Sequence, residues 1–181
     1  MFMAKSGGCR QESSMKQLKL VKLAKSLTEN DISNFENQFG IRMPDDLRKH
    51  YLKANGGFPD CFKMCYIQKG VDPCNANGVT FNGFYPIKYP STADGSTLEE
   101  NYIDYTDTQA LFDKHQYIPF AFDVSGYPHL MKLDDHAIYL LNRDVVDDEG
   151  REVIEFVAPS LQDFIDGFIS GDEFEDLISD C

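Results

Sequence analysis

Cys61, Cys65 and Cys74 are spaced C-x3-C-x8-C, and clustered thiolates are what a structural zinc ion takes as ligands. Such a site wants four ligands, usually with a tight C-x2-C pair. No such pair is present, and His50, a conceivable fourth ligand, lies on an expected helix with no spacing rule to bring it in. Buried or loop thiols are the plainer reading of all three. Asn75-Ala76-Asn77-Gly78 imitates the middle of a calcium loop, but Pro73 and Phe84 then fall on the first and twelfth ligand positions. Neither side chain has an oxygen to give. The sequence contains no G-x-x-x-x-G-K-[ST], no G-x-S-x-G and no H-E-x-x-H, and no G-x-G-x-x-G follows a strand. A Cys paired with His50, His115, His129 or His136 stays open as a nucleophile, with nothing in the spacing to favour it. No metal, cofactor or catalytic residue is therefore expected.

The elements that would position any site are clearer. Thr28 with Asp31 makes a near capping box, and Ile32, Phe35 and Phe39 follow at helical spacing up to Gly40. Met43-Pro44 opens a second helix with Pro at its first position, carrying Leu47 and Tyr51 on one face and ending at Asn55-Gly56-Gly57. Residues 62–67 and 79–87 read as strands around a Gly/Pro/Asn-rich loop. Ser96 with Glu99 forms another capping box, opening a helix to about Tyr105. Period-two runs at 117–122, 127–133, 137–142 and 152–157, joined by short turns, predict an antiparallel meander. Ser160 caps a last helix whose apolar residues Leu161, Phe164, Ile165, Phe168 and Ile169 predict one continuous face up to Gly171. The fold class is α+β: a twisted antiparallel sheet with helices packed around it. Residues 1–27 read as an N-terminal extension, with 1–14 disordered or a start-site remnant before Met15, and 15–27 a basic helix or arm. Residues 28–170 form the domain and 171–181 an acidic tail.

The chain has 181 residues and a net charge of −13, from 30 acidic and 17 basic side chains. Residues 1–57 are net positive, while the remainder carries −17. That balance argues against nucleic acid, which requires a Lys/Arg surface, and against an anionic membrane. It points to a basic partner. Two acidic clusters are candidates for meeting it: Glu99, Glu100, Asp104 and Asp107 on the third helix, and Asp147, Asp148 and Glu149 in the last hairpin. Solvated faces are the competing explanation for both. Five cysteines, an odd number, without an apolar leader or a membrane-length apolar run suggest free thiols in a reducing cytoplasm.

Three segments, in order, resemble the SUKH superfamily of bacterial immunity proteins, which also contains a yeast regulator of cell-wall synthesis. The first is LTENDISNFENQFGIRMPDDLRKHYLKANGGFPD, carrying Glu36, Pro44 and Asn55-Gly56-Gly57. Met43 stands before Pro44 where the family more often has Leu. The second is YIPFAFDVSGYPHLMKL, with Pro119, Phe120, Asp123 and Gly126, and the third VAPSLQDFIDGFI, with Ser160 and Phe164. Helix starts, turns and core packing account for most of these residues. The resemblance implies a non-enzymatic immunity protein that occludes a toxin domain, often a nuclease, in one-to-one fashion. A scaffold or regulatory module on the same fold is the alternative, and a metal or thiol enzyme a third. Oligomeric state is not legible.

Overall fold

A computed structural model describes residues 18–60, 64–67, 72, 74, 78–91, 95–179 and 181. The readings made for residues 1–17, for Cys61 and for Asn75–Asn77 lie outside them. Helix α1 (Glu29–Phe39) starts at Thr28, whose hydroxyl accepts from the Asp31 amide while the Asp31 carboxylate accepts from the Thr28 amide. Gly40, at φ 65°, ends it. The Glu36 side chain closes the corner that follows. One of its oxygens accepts from the Met43 amide at 2.9 Å and the other from Arg48, also at 2.9 Å, on helix α2 (Asp45–Lys53). Pro44 sits one place outside α2, as its N-cap, rather than at its first position.

Before α1 the chain makes strand β1 (Leu20–Val21), paired with β2 (Phe58–Pro59). Residues 18–27 thus take the arm form of the two left open, and contain no helix. Strand β3 (Met64–Tyr66) pairs with β4 (Val79–Phe81). The single strand expected over 79–87 is in fact two. After β4 the chain changes sheets at Asn82, and β5 (Gly83–Phe84) joins the main sheet, so that Phe81 and Phe84 are both buried, 5.0 Å apart. Helix α3 (Leu98–Ile103) is capped by Thr97 with Glu100, one residue later than the Ser96–Glu99 reading. It runs on as a π-helical turn, Asp104–Thr108.

The meander is present as β6 (Tyr117–Phe122), β7 (Pro128–Lys132), β8 (Ile138–Val146) and β9 (Glu152–Ala158), all antiparallel, in the order β5-β6-β7-β8-β9. Pro119 has no amide to give a ladder, and the β6–β7 register shifts between Pro119 and Ala121. Between β6 and β7, Asp123 builds the turn. Its carboxylate accepts from the Ser125 and Tyr127 amides at 2.8 and 2.7 Å, and Gly126 supplies φ 84°. Desolvation raises the Asp123 pKa, and the backbone donors oppose that shift.

Helix α4 (Leu161–Asp166) begins at the Ser160 cap and stops at Gly167, not at Gly171 as the apolar spacing suggested. At Gly167 a Cβ would lie 2.4 Å from the Tyr66 ring, so the chain passes too close for another residue. Phe168 then enters the core on strand β10 (Phe168–Ser170), paired with β3. The acidic tail is helical, α5 (Gly171–Ser179), and Cys181 beyond it is disulfide-bonded to Cys74. The expectation of free thiols is corrected for this pair. Spacing gave no hint of it, because the two residues are 107 apart in sequence.

Phe164 joins the halves of the core. Its ring meets Phe81, Phe120, His129 and Phe168 at centroid distances of 4.7–6.1 Å. On the other face of the sheet, Tyr105 and Phe112 pack on Leu130 and Leu141.

Asn55 organises the buried crossing between α2 and α3. Its amide nitrogen donates to the carbonyls of Lys25 (2.9 Å) and Ile87 (3.0 Å), and its oxygen accepts from the Ile87 amide (2.8 Å). Gly56 (φ 65°) and Gly57 (φ 103°) turn the chain where a Cβ would fall 2.9 Å from Pro86 and 2.7 Å from Leu23. Asn55→Ala strands buried backbone groups without partners. It should lower unfolding free energy by about 2–4 kcal/mol in a urea titration at unchanged slope. A loss under about 1 kcal/mol would mean that water replaces the side chain.

Among its residues helix α5 fully buries only Gly171, and its Phe174 ring packs against Gly78. Reduction, or Cys181→Ser, should therefore speed amide exchange in α5 while β6–β8 keep their protection. Unchanged exchange in α5 would show that packing alone holds it.

Candidate functional site

The two acidic clusters were expected to meet a partner, and the fold engages most of their carboxylates internally. Glu99 accepts from the Lys88 amide at 2.9 and 3.1 Å. Glu100 completes the α3 capping box with Thr97. Asp104 accepts from the side chain of Gln109. Asp107 pairs with Lys114 at 2.8 Å, which lowers its pKa. In the hairpin, Asp147 accepts from the amides of Glu149 and Arg151 and from the Arg151 guanidinium, each at 2.9 Å, and its pKa falls accordingly. Glu149 pairs with Arg151 at 2.7 Å. Asp148 lies exposed at the tip.

The first cluster is tied to the last two strands, at Glu152 rather than at the hairpin tip. Gln109, held by Asp104, accepts from Arg143 on β8 at 3.0 Å, and Arg143 in turn pairs with Glu152 on β9 at 3.1 Å. This chain of bonds runs from the π-helical turn across to the last two strands and closes over Tyr105, Leu130 and Leu141. Beyond it an aromatic line stays partly open. Phe112, Tyr117, Tyr139 and Phe156 touch in sequence at 5.5, 5.8 and 5.8 Å, and Phe156 is 50 % exposed.

Sequence reasoning missed this line. Alternation along 152–157 puts an apolar residue on each face, so the pattern alone did not say which side was covered. The usable signal was Phe156 between Glu155 and the chain's return to α4, on what the order of turns makes the last strand of the meander.

The family-motif residues are built into the frame. Glu36, Asn55, Asp123 and Ser160 each satisfy backbone amides or carbonyls, and Phe120 and Phe164 are fully buried. A cleft of about 590 Å³ lies between the start of α2 and the β7–β8 turn, lined by Arg42, Asp45, Lys49 and His136 among others. The buried polar atoms left without partners lie elsewhere. Among the described residues, no group of three His, Cys, Asp or Glu side chains is arranged to hold a metal ion. No helix among them is long and apolar enough to cross a membrane.

His129 is fully buried in the core, and His50 is partly buried against it. His129 lies between the Phe81 and Phe164 rings, with Nε2 3.1 Å from the Thr80 carbonyl and Nδ1 unpartnered. The His50 ring lies 4.2 Å from that of Phe84, and its Nε2 is buried without a partner. Burial lowers both pKa values to about 4, from 6.5. Unfolded, each imidazole takes up a proton near pH 6.5; folded, only near pH 4. Between those values the unfolded chain binds more protons, so stability should fall as pH drops from 6.5 towards 4. Each histidine can contribute up to about 3 kcal/mol to that fall. Urea titrations at pH 7 and pH 5 check this. His129→Phe should flatten the difference, and an unchanged pH slope in that variant would contradict the assignment.

The family model described as SMI1 / KNR4 family (SUKH-1) matches residues 26–167. No match was found among curated proteins. The match spans most of the chain, and the chain belongs to that family.

Proposed function

We propose that this member of the SMI1 / KNR4 family is a non-catalytic immunity protein. It neutralises a cognate bacterial toxin domain by binding it one to one and covering its working surface. Family membership carries the reading, and the charge distribution supports it. A nuclease toxin needs a basic groove to hold its substrate, and a chain of net −13 is drawn to such a groove from a distance. A protein inhibitor of this kind needs no turnover chemistry. Its histidines at 50 and 129 serve as packing groups, held neutral by burial at pH 7.

The reading places the protein in the cytoplasm of the producing cell, where an immunity partner must wait. The Cys74–Cys181 pair is more at home in an oxidising compartment, so its redox state in cells tests that placement.

Since Glu99, Glu100 and Asp147 hold the fold, charge reversal is best made at Asp148 and Glu149 on the hairpin tip. Stopped-flow binding to a cognate toxin domain, sought among the products of neighbouring genes, should show an association rate that falls at least tenfold between 20 and 500 mM salt. Asp148→Lys with Glu149→Lys should slow association further, with a smaller change in dissociation. A rate indifferent to salt and to both reversals would remove the electrostatic argument. Failure of the unaltered protein to bind or protect would remove the immunity reading.

A further inference from the structure

Strand β9 is the last strand of the five-stranded sheet, paired with β8 on one side only. Its first five residues, Glu152 to Phe156, are all at least partly exposed, and no strand among the described residues pairs with its outer side. Natural sheets usually blunt such an edge with Pro, Lys or a covering element. Glu152–Ala158 contains neither Pro nor Lys. Apolar side chains cluster on the same ribbon: Val145 and Val146 are 44 % and 59 % exposed, and Phe156 ends the aromatic line at 50 %.

The ribbon is also acidic. Residues 138–158 carry Asp144, Asp147, Asp148, Glu149, Glu152 and Glu155 against Arg143 and Arg151. Both arginines are taken by internal partners, Arg143 by Glu152 and Arg151 by Asp147 and Glu149. Asp148 and Glu155 thus project negative charge beside the open edge. A second copy of the chain would bring the same carboxylates against them, so like charges oppose edge-to-edge self-pairing.

We propose that the outer edge of β9 is the docking strip for the protein partner, and that the partner adds an extended, basic segment to the sheet there. This rests on the immunity reading and specifies how the partner is held. Strand geometry sets the pattern of that segment, because its side chains alternate between the two faces of the extended sheet. On one face they lie beside Ile154 and Phe156, and must be apolar. On the other they lie beside Val153 and Glu155, and must include Lys or Arg. Main-chain bonds along β9 supply affinity, Phe156 is the anchor, and Glu155 with the hairpin tip selects the charge.

The experiment uses as probe a cognate toxin domain sought among the products of neighbouring genes, with four forms of the full chain: unaltered, Phe156→Ser, Glu155→Lys and, as a control on α5, Asp172→Lys. Kd, thermal midpoint, oligomeric state by sedimentation, and amide exchange of β9 with and without the probe are measured. The proposal expects β9 amides to slow at least tenfold in the complex. It also expects Kd to rise at least 30-fold for Phe156→Ser and tenfold for Glu155→Lys, and no change for Asp172→Lys. Because both test side chains are exposed, the thermal midpoint should stay within a few degrees, and Glu155→Lys carries the test should Phe156→Ser lose its fold. Tight binding with unprotected β9 amides and unaffected variants would overturn the docking strip and leave the immunity reading standing. A dimer in the unaltered chain that Phe156→Ser dissociates would assign the edge to a second copy and overturn it too. No binding by the unaltered chain would sink the immunity reading and this inference with it.

Discussion

The segment Tyr85–Ile87 crosses the interior outside any helix or strand and surfaces at Lys88, and a buried backbone must find hydrogen-bond partners. Side chains from α2, the turn after it and α3 supply them, and α1 holds the Lys88 side chain. Asn55, just past α2, holds both polar groups of Ile87, and the Tyr51 hydroxyl lies 2.9 Å from the Tyr85 carbonyl and 3.1 Å from that of Phe120. Glu99 on α3 accepts from the Lys88 amide, and Asp31 on α1 pairs with the Lys88 ammonium. That ion pair, with the Thr28 bonds, holds the Asp31 carboxyl well below its usual pKa. Position of the helices against the sheet, and the tethering of Lys25 near the N-terminal strand, all depend on this crossing.

The dependence explains why the family motifs look functional in sequence but serve the frame in space. Asn55-Gly56-Gly57 is a turn and also a receptor for another chain segment, and Glu36 bridges α1 to both Met43 and Arg48. Glu99 shows the same economy. It reads as surface charge, yet its carboxylate occupies the one amide of Lys88. The recognition surface we propose lies elsewhere, on the β8–β9 ribbon with its acidic tip and its open aromatic end.

Strong local signals were legible. The Thr28 box, the Ser160 cap and the four meander strands needed no tertiary information, because capping and alternation are set within a few residues. The misreadings came where distant contacts override local pattern. Phe168 and Ile169 complete a helical face in sequence, but Gly167 must pass against Tyr66, so the helix breaks and Phe168 joins a strand. Val79–Ile87 alternates like one strand, but Phe81 and Phe84 fill different sheets. Cys74 and Cys181 meet only through the fold. For Phe156 the one legible signal was its place on the last strand of the meander; its exposure follows from where the sheet ends.

The immunity function we propose would work by occupancy, and that is its central claim. The direct measurement is a titration of a cognate toxin domain's activity with the purified chain, at toxin concentrations far above Kd. The account predicts a linear loss of activity that reaches zero at one equivalent and does not deepen with longer incubation. Inactivation that continues with time at a small fraction of an equivalent would mean turnover, and would contradict it.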